Sequence, residues 1–495
     1  MPDNRDYRDY IAIIDIGSNA VRLVVYDGVN RAPLKIHNER TVCNLGADLV
    51  KTGRLAPEGV RRALDSLKRF SGLLQAMKIK NIRAVATDAV RGAADGPEFV
   101  ARVEKECGLK VEVVDGQEEA RLSALGVLAN GLGVDGVIGD YGGGSLELIV
   151  IEGRRVRHKA SLPLGSHRLL AEKDREACTK LIDGHLNKVG FLKDYAGHDF
   201  YALGGAWRSM AKAHMRMVGH PLLTLDHYEI EGGKATDYAG LLSRQSPASL
   251  EKIAGMSKKR VKDMGVAALA MERVFAHLRP DRLVFSGTGL REGLIYDRLP
   301  PAFQRQDPLL SGAAKVAVNL SRFNDLRGFV ALAKWMAPLF DGRDTALMRL
   351  LKASCLLSDT GWFEHEDYQA GHVFERILVM PLYGVDHRDR AFLALSQYVR
   401  YKGYLQDGDV THAVRRIMDE QDIARALAAG AAQHLAYRLT GGALSLLRKT
   451  ELRLMPGRLT LKLQGGARLL QAEGVEEDVK ALAAILGREG VIEAG

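Results

Sequence analysis

Two carboxylates are the first residues to suggest chemistry. Asp15 and Asp140 each close an apolar run, IAIID and GVIGD. Each is followed closely by a glycine-bearing turn, GSNA at 17–20 and GGGS at 142–145, and then by a second apolar run. Backbone N–H groups and small side chains at such a tip let an anion approach closely. A carboxylate does not itself bind phosphate, so an Asp beside a phosphate cradle implies a divalent cation, held directly or through water. Either hairpin alone reads equally well as an ordinary turn built from Asp, Gly, Ser and Asn.

The two stretches are copies of one unit. Superimposing residues 11–28 on 136–153 places Asp15 on Asp140, Gly17 on Gly142, Leu23 on Leu148, Val25 on Val150 and Gly28 on Gly153. A repeated supersecondary unit is hard to reconcile with two unrelated turns. The expected anion donors are Gly17, Ser18, Asn19 and Ala20 at one tip, and Gly142, Gly143, Gly144 and Ser145 at the other. Glu147, on the outgoing strand of the second copy, reads with Asp140 as a pair of metal ligands, with Asp15 holding a second ion or a bound water. As the alternative, Glu147 is a solvent-facing strand residue.

The elements that would position these tips alternate. Apolar residues at helical spacing run from 55 to 77 with Pro57 near the start, IRAVAT at 82–87 reads as a strand, and PEFVARVEKEC reads as a helix closed by Gly108. VEVVDG at 111–116 is a further strand, and QEEARLSALGVLANG is the next helix. Such alternation marks an α/β domain. Beyond the second hairpin, two strand-to-helix junctions pass through Gly204 and Gly205 and through Gly287 and Gly289. Past Pro300 and Pro301 only helical periods remain to about residue 448, and the tail reads as a hairpin plus a helix. The expected domains are 1–134, 135–308, 309–448 and 449–495.

Composition narrows the partners. With 46% hydrophobic and 26% charged residues, the chain is that of a globular protein. The N-terminus MPDNRDYRDY has no apolar core of a signal peptide, which argues for a cytoplasmic protein with no membrane partner. Cys43, Cys107, Cys178 and Cys355 form no CxxC pair, so neither zinc nor a disulfide framework is expected. A net charge of +9 favours polyanionic partners. Nucleic acid is not expected, since finger spacings, aromatic RNA-binding motifs and basic tails are missing.

Five segments occur in order: DIGSNAVRLVV, GQEEAR at 116–121, DYGGGSLEL, LPLGSHRL at 162–169 and SGTGLREGLI at 286–295. Together they resemble the exopolyphosphatase/guanosine pentaphosphate phosphohydrolase family, within the actin, sugar kinase and heat-shock ATPase fold. The resemblance is strong over residues 10 to about 300. It implies an α/β fold class: two actin-like (ribonuclease H-like) domains with duplicated phosphate-binding hairpins, an all-α HD-like domain and a small α+β C-terminal unit.

It further implies Mg²⁺-dependent hydrolysis (or another divalent cation) of the terminal phosphoanhydride of inorganic polyphosphate, or of guanosine pentaphosphate, by a homodimer. Glu119 falls on the second Glu of the EEAR segment and becomes the water-orienting base, while Thr87 and Arg91 become phosphate contacts. A first-turn Glu and a first-turn Arg are also common for structural reasons alone. A kinase or ATPase of the same fold, and a non-catalytic alarmone (guanosine tetraphosphate) or polyphosphate sensor, are the other classes to weigh.

The helical segment departs from the resemblance. Its expected His-Asp pair reads Ser358-Asp359, which removes a metal ligand, so His365 and His372 are expected to be surface or structural. Arg400, Lys402, Arg415 and Arg416 could steer a polyanion or simply line a solvated helix face.

Overall fold

The computed structural model describes residues 9–131, 133–253, 261–406, 408–464, 470 and 473–494. The chain divides into two compact units. One is residues 1–219 with 225–306, and the other is residues 220–224 with 307–495.

The first unit contains two sheets. Strands β1 (Ile11–Ile16), β2 (Ala20–Tyr26), β3 (Lys35–Val42), β4 (Asn81–Ala86) and β5 (Val111–Val113) form one, in the order β3-β2-β1-β4-β5. Strands β6 (Gly136–Tyr141), β7 (Leu146–Glu152), β8 (Arg155–Leu162), β9 (Phe200–Leu203), β10 (Tyr228–Glu231) and β11 (Arg282–Phe285) form the other, in the order β10-β11-β9-β6-β7-β8. In each, the hairpin is antiparallel and the next strand joins in parallel: β4 on β1, and β9 on β6.

The repeat holds to the level of single residues. Asp15 pairs with Arg22 across the first hairpin, and Asp140 with Glu147 across the second. Each outgoing strand also shifts register against its third strand at the matching point, between Val25 and Tyr26 and between Val150 and Ile151. Such bulges bend and twist a sheet edge. The third strands β3 and β8, like β10, are absent from the strands expected above. All three are edge strands, where charged side chains such as those of KIHNERTV and RVRHKASL protect an open edge and blur the apolar alternation.

The helices follow their sequence signals. Pro57–Ala76 begins with proline and buries Ala63, Leu64, Leu67, Phe70 and Leu74; Gly96–Cys107 is closed by Gly108 at φ 65°. The helix Gly116–Ala129 has Asp115 as its cap, whose carboxylate accepts from the Glu118 N–H. Ala120, Ala124, Val127 and Leu128 of this helix pack with Ile138, Ile149 and Val284 of the second sheet, whereas its Leu122 packs with Ile11, Ile13 and Val24 of the first.

The helix Leu290–Tyr296, which follows β11 of the second sheet, sends Leu294 and Ile295 to that same first-sheet core. The two helices cross almost backbone to backbone. A Cβ on Gly126 would lie 2.0 Å from the carbonyl oxygen of Gly289, and one on Gly293 would lie 1.8 Å from that of Leu122. Arg121 spans the crossing in a two-bond pair with Asp297 (2.7 and 3.0 Å). Glu292 accepts from the Tyr26 hydroxyl at 2.8 Å and pairs with Lys35 at 3.0 Å.

In the second unit, helices run from Pro308–Leu320 to Glu420–Thr440. They share one core with strands β12 (Thr450–Met455), β13 (Arg458–Leu463) and β14 (Glu489–Ala494) and with the helix Val475–Ile485. The tail is therefore not a separate core: Leu459, Leu461, Leu463, Val479 and Leu482 are buried with Phe374, Leu395 and Leu435. Strand β14, parallel to β13 at the sheet edge, is an addition to the expected hairpin and helix. All four cysteines are free and buried, and no described helix is long and apolar enough to cross a membrane.

The helix crossing makes a prediction. Gly293→Ala should lower stability by about 1–3 kcal/mol through overpacking, while Gly72→Ala, on an exposed helix position with nothing within 4 Å, should be neutral or stabilising by up to about 1 kcal/mol. Urea unfolding midpoints of the two variants check this.

Candidate active site

The two hairpin tips face one cavity of about 180 Å³. Asp15, Gly17, Ser18, Asn19 and Ala20 line it from the first copy, and Gly142, Gly143, Gly144 and Ser145 from the second. Both turns close alike, with the Gly17 N–H donating to the Ala20 carbonyl (3.1 Å) and the Gly142 N–H to the Ser145 carbonyl (3.0 Å).

Other loops tie down five further carbonyls of the tips. Those of Gly142, Gly143 and Gly144 accept from the N–H groups of Ser166, His167 and Gly165; those of Ser18 and Asn19 accept from Gly46, Cys43 and Asn44. With their acceptors occupied, the tips offer the cavity N–H groups and hydroxyls, which is what an oxyanion requires. Gly143 and Gly144 have no room for a side chain, since a Cβ would meet Ser18 at 2.9 Å and the Asp88 carboxylate at 1.6 Å respectively.

Glu119 lines the cavity from the first turn of its helix, whereas its neighbour Glu118 turns away to a two-bond pair with Arg121 (2.7 and 2.8 Å). Adjacent helical positions point about 100° apart, so only one of the two can face inward. Burial pushes the Glu119 carboxyl up to about 7; Arg91 opposes this, and the carboxylates of Asp140 and Asp88 add to it.

Arg91 departs from the expectation of a phosphate clamp. It is not among the cavity-lining residues, and one of its terminal nitrogens donates both to the Val114 carbonyl (2.7 Å) and to Glu119 (3.1 Å). In this structure it holds the Glu119 carboxylate. Thr87, its partner in the same sequence segment, does line the cavity.

The expected metal ligands each have a hydrogen-bond or ion-pair partner. Asp15 lies at 3.6 Å from Arg291, Asp140 accepts from the Ser123 hydroxyl (2.7 Å), and Glu147 is 2% exposed and accepts from the Ser161 hydroxyl (2.9 Å). Glu147 is therefore no solvent-facing residue, and it does not line the cavity either. Among the described residues no three His, Cys, Asp or Glu side chains converge to cage a metal ion. Each of Asp15, Asp140 and Glu147 has a polar partner of its own, yet Asp140 lies close enough to the other two for its charge to act on both.

What the site does contain is hard oxygen donors under strain. Burial raises the carboxyls of Asp15, Asp140 and Glu147, with Arg291 and Arg22 opposing at Asp15, and with Glu119 and Asp140 adding at Glu147. A divalent cation would relieve that cost, and Mg²⁺ commonly takes only one or two carboxylates, completing its shell with phosphate oxygens and water. The residues present fit such an ion.

Several cavity residues carry little sequence signal. Asp88 sits beside Thr87, Ser166 belongs to the LPLGSHRL segment, and Gly205 to a glycine junction, but Asp263 is one acid within a long helix. Three guanidiniums, those of Arg22, Arg208 and Arg291, gather around Asp15 and Asp140. Burial, with Arg291 and Arg208 nearby, brings Arg22 down to about 10. In the helical unit, His365 and His372 are 68% and 62% exposed, as surface histidines should be, and Arg415 and Arg416 are exposed. Arg400 is not on a solvated face: it is 8% exposed.

Comparison with known proteins agrees with this architecture. Residues 24–302 match the Ppx/GppA phosphatase family, and residues 325–489 match the exopolyphosphatase C-terminal domain. The chain is 26% identical over 477 residues to retrograde regulation protein 2 of Saccharomyces cerevisiae, covering 85% of this chain and 78% of that one. It is 26% identical over 304 residues to guanosine-5'-triphosphate,3'-diphosphate pyrophosphatase of Photobacterium profundum. That match takes in 58% of this chain and spans 59% of the relative's length. Among solved structures, an exopolyphosphatase from Cytophaga hutchinsonii superimposes with a TM-score of 0.53 at 25% identity, and the Aquifex aeolicus Ppx/GppA family member with 0.50 at 27%. Each covers 58% of this chain and 97% of its own.

The raised carboxyl of Glu119 makes a prediction with a definite sign. A folded pKa near 7, above the ordinary 4.5, means that folding takes up a proton; the associated stability is full below about pH 4.5 and is lost as pH rises through about 7. Glu119→Gln removes that loss. The variant should therefore unfold at higher denaturant than the unsubstituted chain at pH 8, by about 1–3 kcal/mol, with the difference shrinking at pH 5. Denaturant titrations at the two pH values read it directly.

Proposed function

Because the chain belongs to the Ppx/GppA phosphatase family, we propose that it is a cytoplasmic, Mg²⁺-dependent exopolyphosphatase that removes the terminal phosphate of inorganic polyphosphate. The observation that carries this reading is the convergence of both glycine turns and the raised carboxyl of Glu119 on one cavity.

Each residue then has a task in phosphoryl transfer, which demands charge stabilisation and a placed water more than covalent chemistry. The turns at 17–20 and 142–145, with Ser18, Asn19, Ser145 and Thr87, hold the terminal phosphate. Glu119, held by Arg91, orients the attacking water and accepts its proton; a base with a pKa near 7 suits that work at neutral pH. Asp15 and Asp140, with Glu147 behind them, would hold Mg²⁺. When bound, the ion neutralises charge on the phosphate oxygens. Arg22, Arg208 and Arg291 supply positive charge for phosphates further along the substrate, and the +9 net charge favours a long polyanion. The match of residues 325–489 to the exopolyphosphatase C-terminal domain supports the same substrate.

Guanosine pentaphosphate is the second reading, favoured by the likeness to the Photobacterium profundum pyrophosphatase. A homodimer belongs to either reading and is checked by light scattering.

Purified protein with Mg²⁺ should release phosphate from polyphosphate faster than from guanosine pentaphosphate or ATP, and chelation of the metal should stop it. Glu119→Ala should slow release by about 10²–10⁴-fold while substrate binding is kept. Activity should rise with pH as Glu119 gives up its proton, with a midpoint near 7 that the bound cation shifts down and the phosphate charge of the substrate shifts up. Full activity in Glu119→Ala would overturn the mechanism, and ADP formation from ATP coupled to an acceptor would overturn the reaction class.

A further inference from the structure

The helical unit buries a cation that no protein acceptor satisfies. Arg400, near the end of the helix His387–Lys402, is 8% exposed. Its guanidinium lies 4.3 Å from the ring centre of Tyr401 and 3.6 Å from that of Tyr437. Its Nε is buried without a hydrogen-bond partner, and among the described residues the side chain donates to no oxygen and pairs with no carboxylate. A guanidinium cannot discharge itself by losing a proton. Aromatic faces repay part of the lost hydration through cation–π attraction, but they leave the buried Nε–H donor unmet.

The carboxylate that could have met them is committed elsewhere. Asp359, the acid of the Ser358-Asp359 pair, accepts from the Arg322 side chain at 2.8 and 3.1 Å through one oxygen, and from the Arg322 backbone N–H at 2.9 Å through the other. Arg322 itself lies over Tyr437, at 5.8 Å, and is 29% exposed, so the cluster reaches solvent there. Ser358 is spent as well, bonded to the Cys355 carbonyl (2.6 Å) and to the Tyr437 hydroxyl (2.9 Å). Two guanidiniums and one carboxylate leave a single positive charge. That charge sits on a rigid fork whose geometry matches two oxygens of a tetrahedral oxyanion.

We propose that the Arg400–Tyr401–Tyr437 cluster is an anion-binding site of the helical unit, taking a phosphate oxyanion against the Arg400 guanidinium. The choice of phosphate among oxyanions rests on the reading that the other unit releases it; the existence of the site does not. Free orthophosphate, the end of a polyphosphate chain and a nucleotide phosphate share the required chemistry.

The test titrates orthophosphate into the full chain carrying Glu119→Gln, and into the same chain with Arg400→Met or Arg400→Lys, followed by calorimetry and thermal unfolding. Tripolyphosphate and guanosine tetraphosphate arms separate the sources, and acetate is the control for a carboxylate ligand. The parent should bind phosphate and melt at higher temperature with it. Arg400→Met should lose one binding equivalent, and without phosphate it should melt close to the parent, because among the described residues the Arg400 side chain donates to no protein acceptor that the change would leave unpaired. Arg400→Lys, which keeps the charge but not the fork, should bind about tenfold more weakly at that site.

An Arg400→Met chain that melts well below the parent and keeps every binding equivalent would show that Arg400 is only a structural brace. If that variant fails to fold, unchanged affinity in Arg400→Lys overturns the proposal equally, as does acetate binding as tightly as phosphate. Because binding is read without turnover, failure of the exopolyphosphatase reading would leave the Arg400 result standing on its own.

Discussion

The first unit depends on a crossing with no side chain in it. Gly126 and Gly293 let the helices Gly116–Ala129 and Leu290–Tyr296 approach until each faces a carbonyl of the other, closer than any Cβ allows. One helix precedes the second hairpin and the other follows β11, yet both reach the core of the first sheet. The crossing thus fixes the two halves of the duplicated fold against one another. It also sets the position of Glu119, which stands one turn before Leu122 on the same helix. The geometry of the candidate site thus rests on glycines that do not themselves line the cavity.

Having fixed that geometry, the fold holds a group of carboxylates that electrostatics disfavours. Asp15, Asp140, Glu147 and Glu119 are all raised first by burial, and at each the neighbouring acids add to it or the neighbouring arginines and hydroxyls oppose it. The second hairpin repeats the first with one telling difference. Where Asp15 faces Arg22 across its strand pair, Asp140 faces Glu147. In the first copy an opposing guanidinium comes from within the hairpin, whereas in the second Arg208 and Arg291 supply it from outside. Charge of this kind is tolerated when it serves a ligand, and it explains why the site gives up stability for function.

Much of this was legible in the sequence because it rested on local pattern. The hairpin repeat needed only the spacing of Asp, Gly and apolar residues, and Gly108 announced its left-handed cap. The strands absent from the sequence pattern, β3, β8, β10 and β14, are all sheet edges: charge blurs the alternation in β3 and β8, and β10 alternates over only four residues. Arg91 looked like a phosphate clamp because its spacing from Thr87 is all that a sequence displays; its actual partners, Val114 and Glu119, come from a different strand and helix. Asp263 had no signal, since one acid in a long helix reads as solvated. Arg400 likewise sits in a helical period that reads as a solvated face, and only the packing of Tyr437 from another helix reveals it as buried.

The shared core of the second unit has a consequence for the order in which the protein is made. Its helices enclose Leu459, Leu461, Val479 and Leu482, so that core cannot close until residues beyond 475 have emerged during synthesis. The first unit has all its strands by residue 285. Only its excursion at 220–224 must wait, because Leu222 belongs to the later core and His220 meets His387 at 2.8 Å. A ribosome therefore presents a nearly finished phosphate-binding half trailing one open loop before the helical half can close its core.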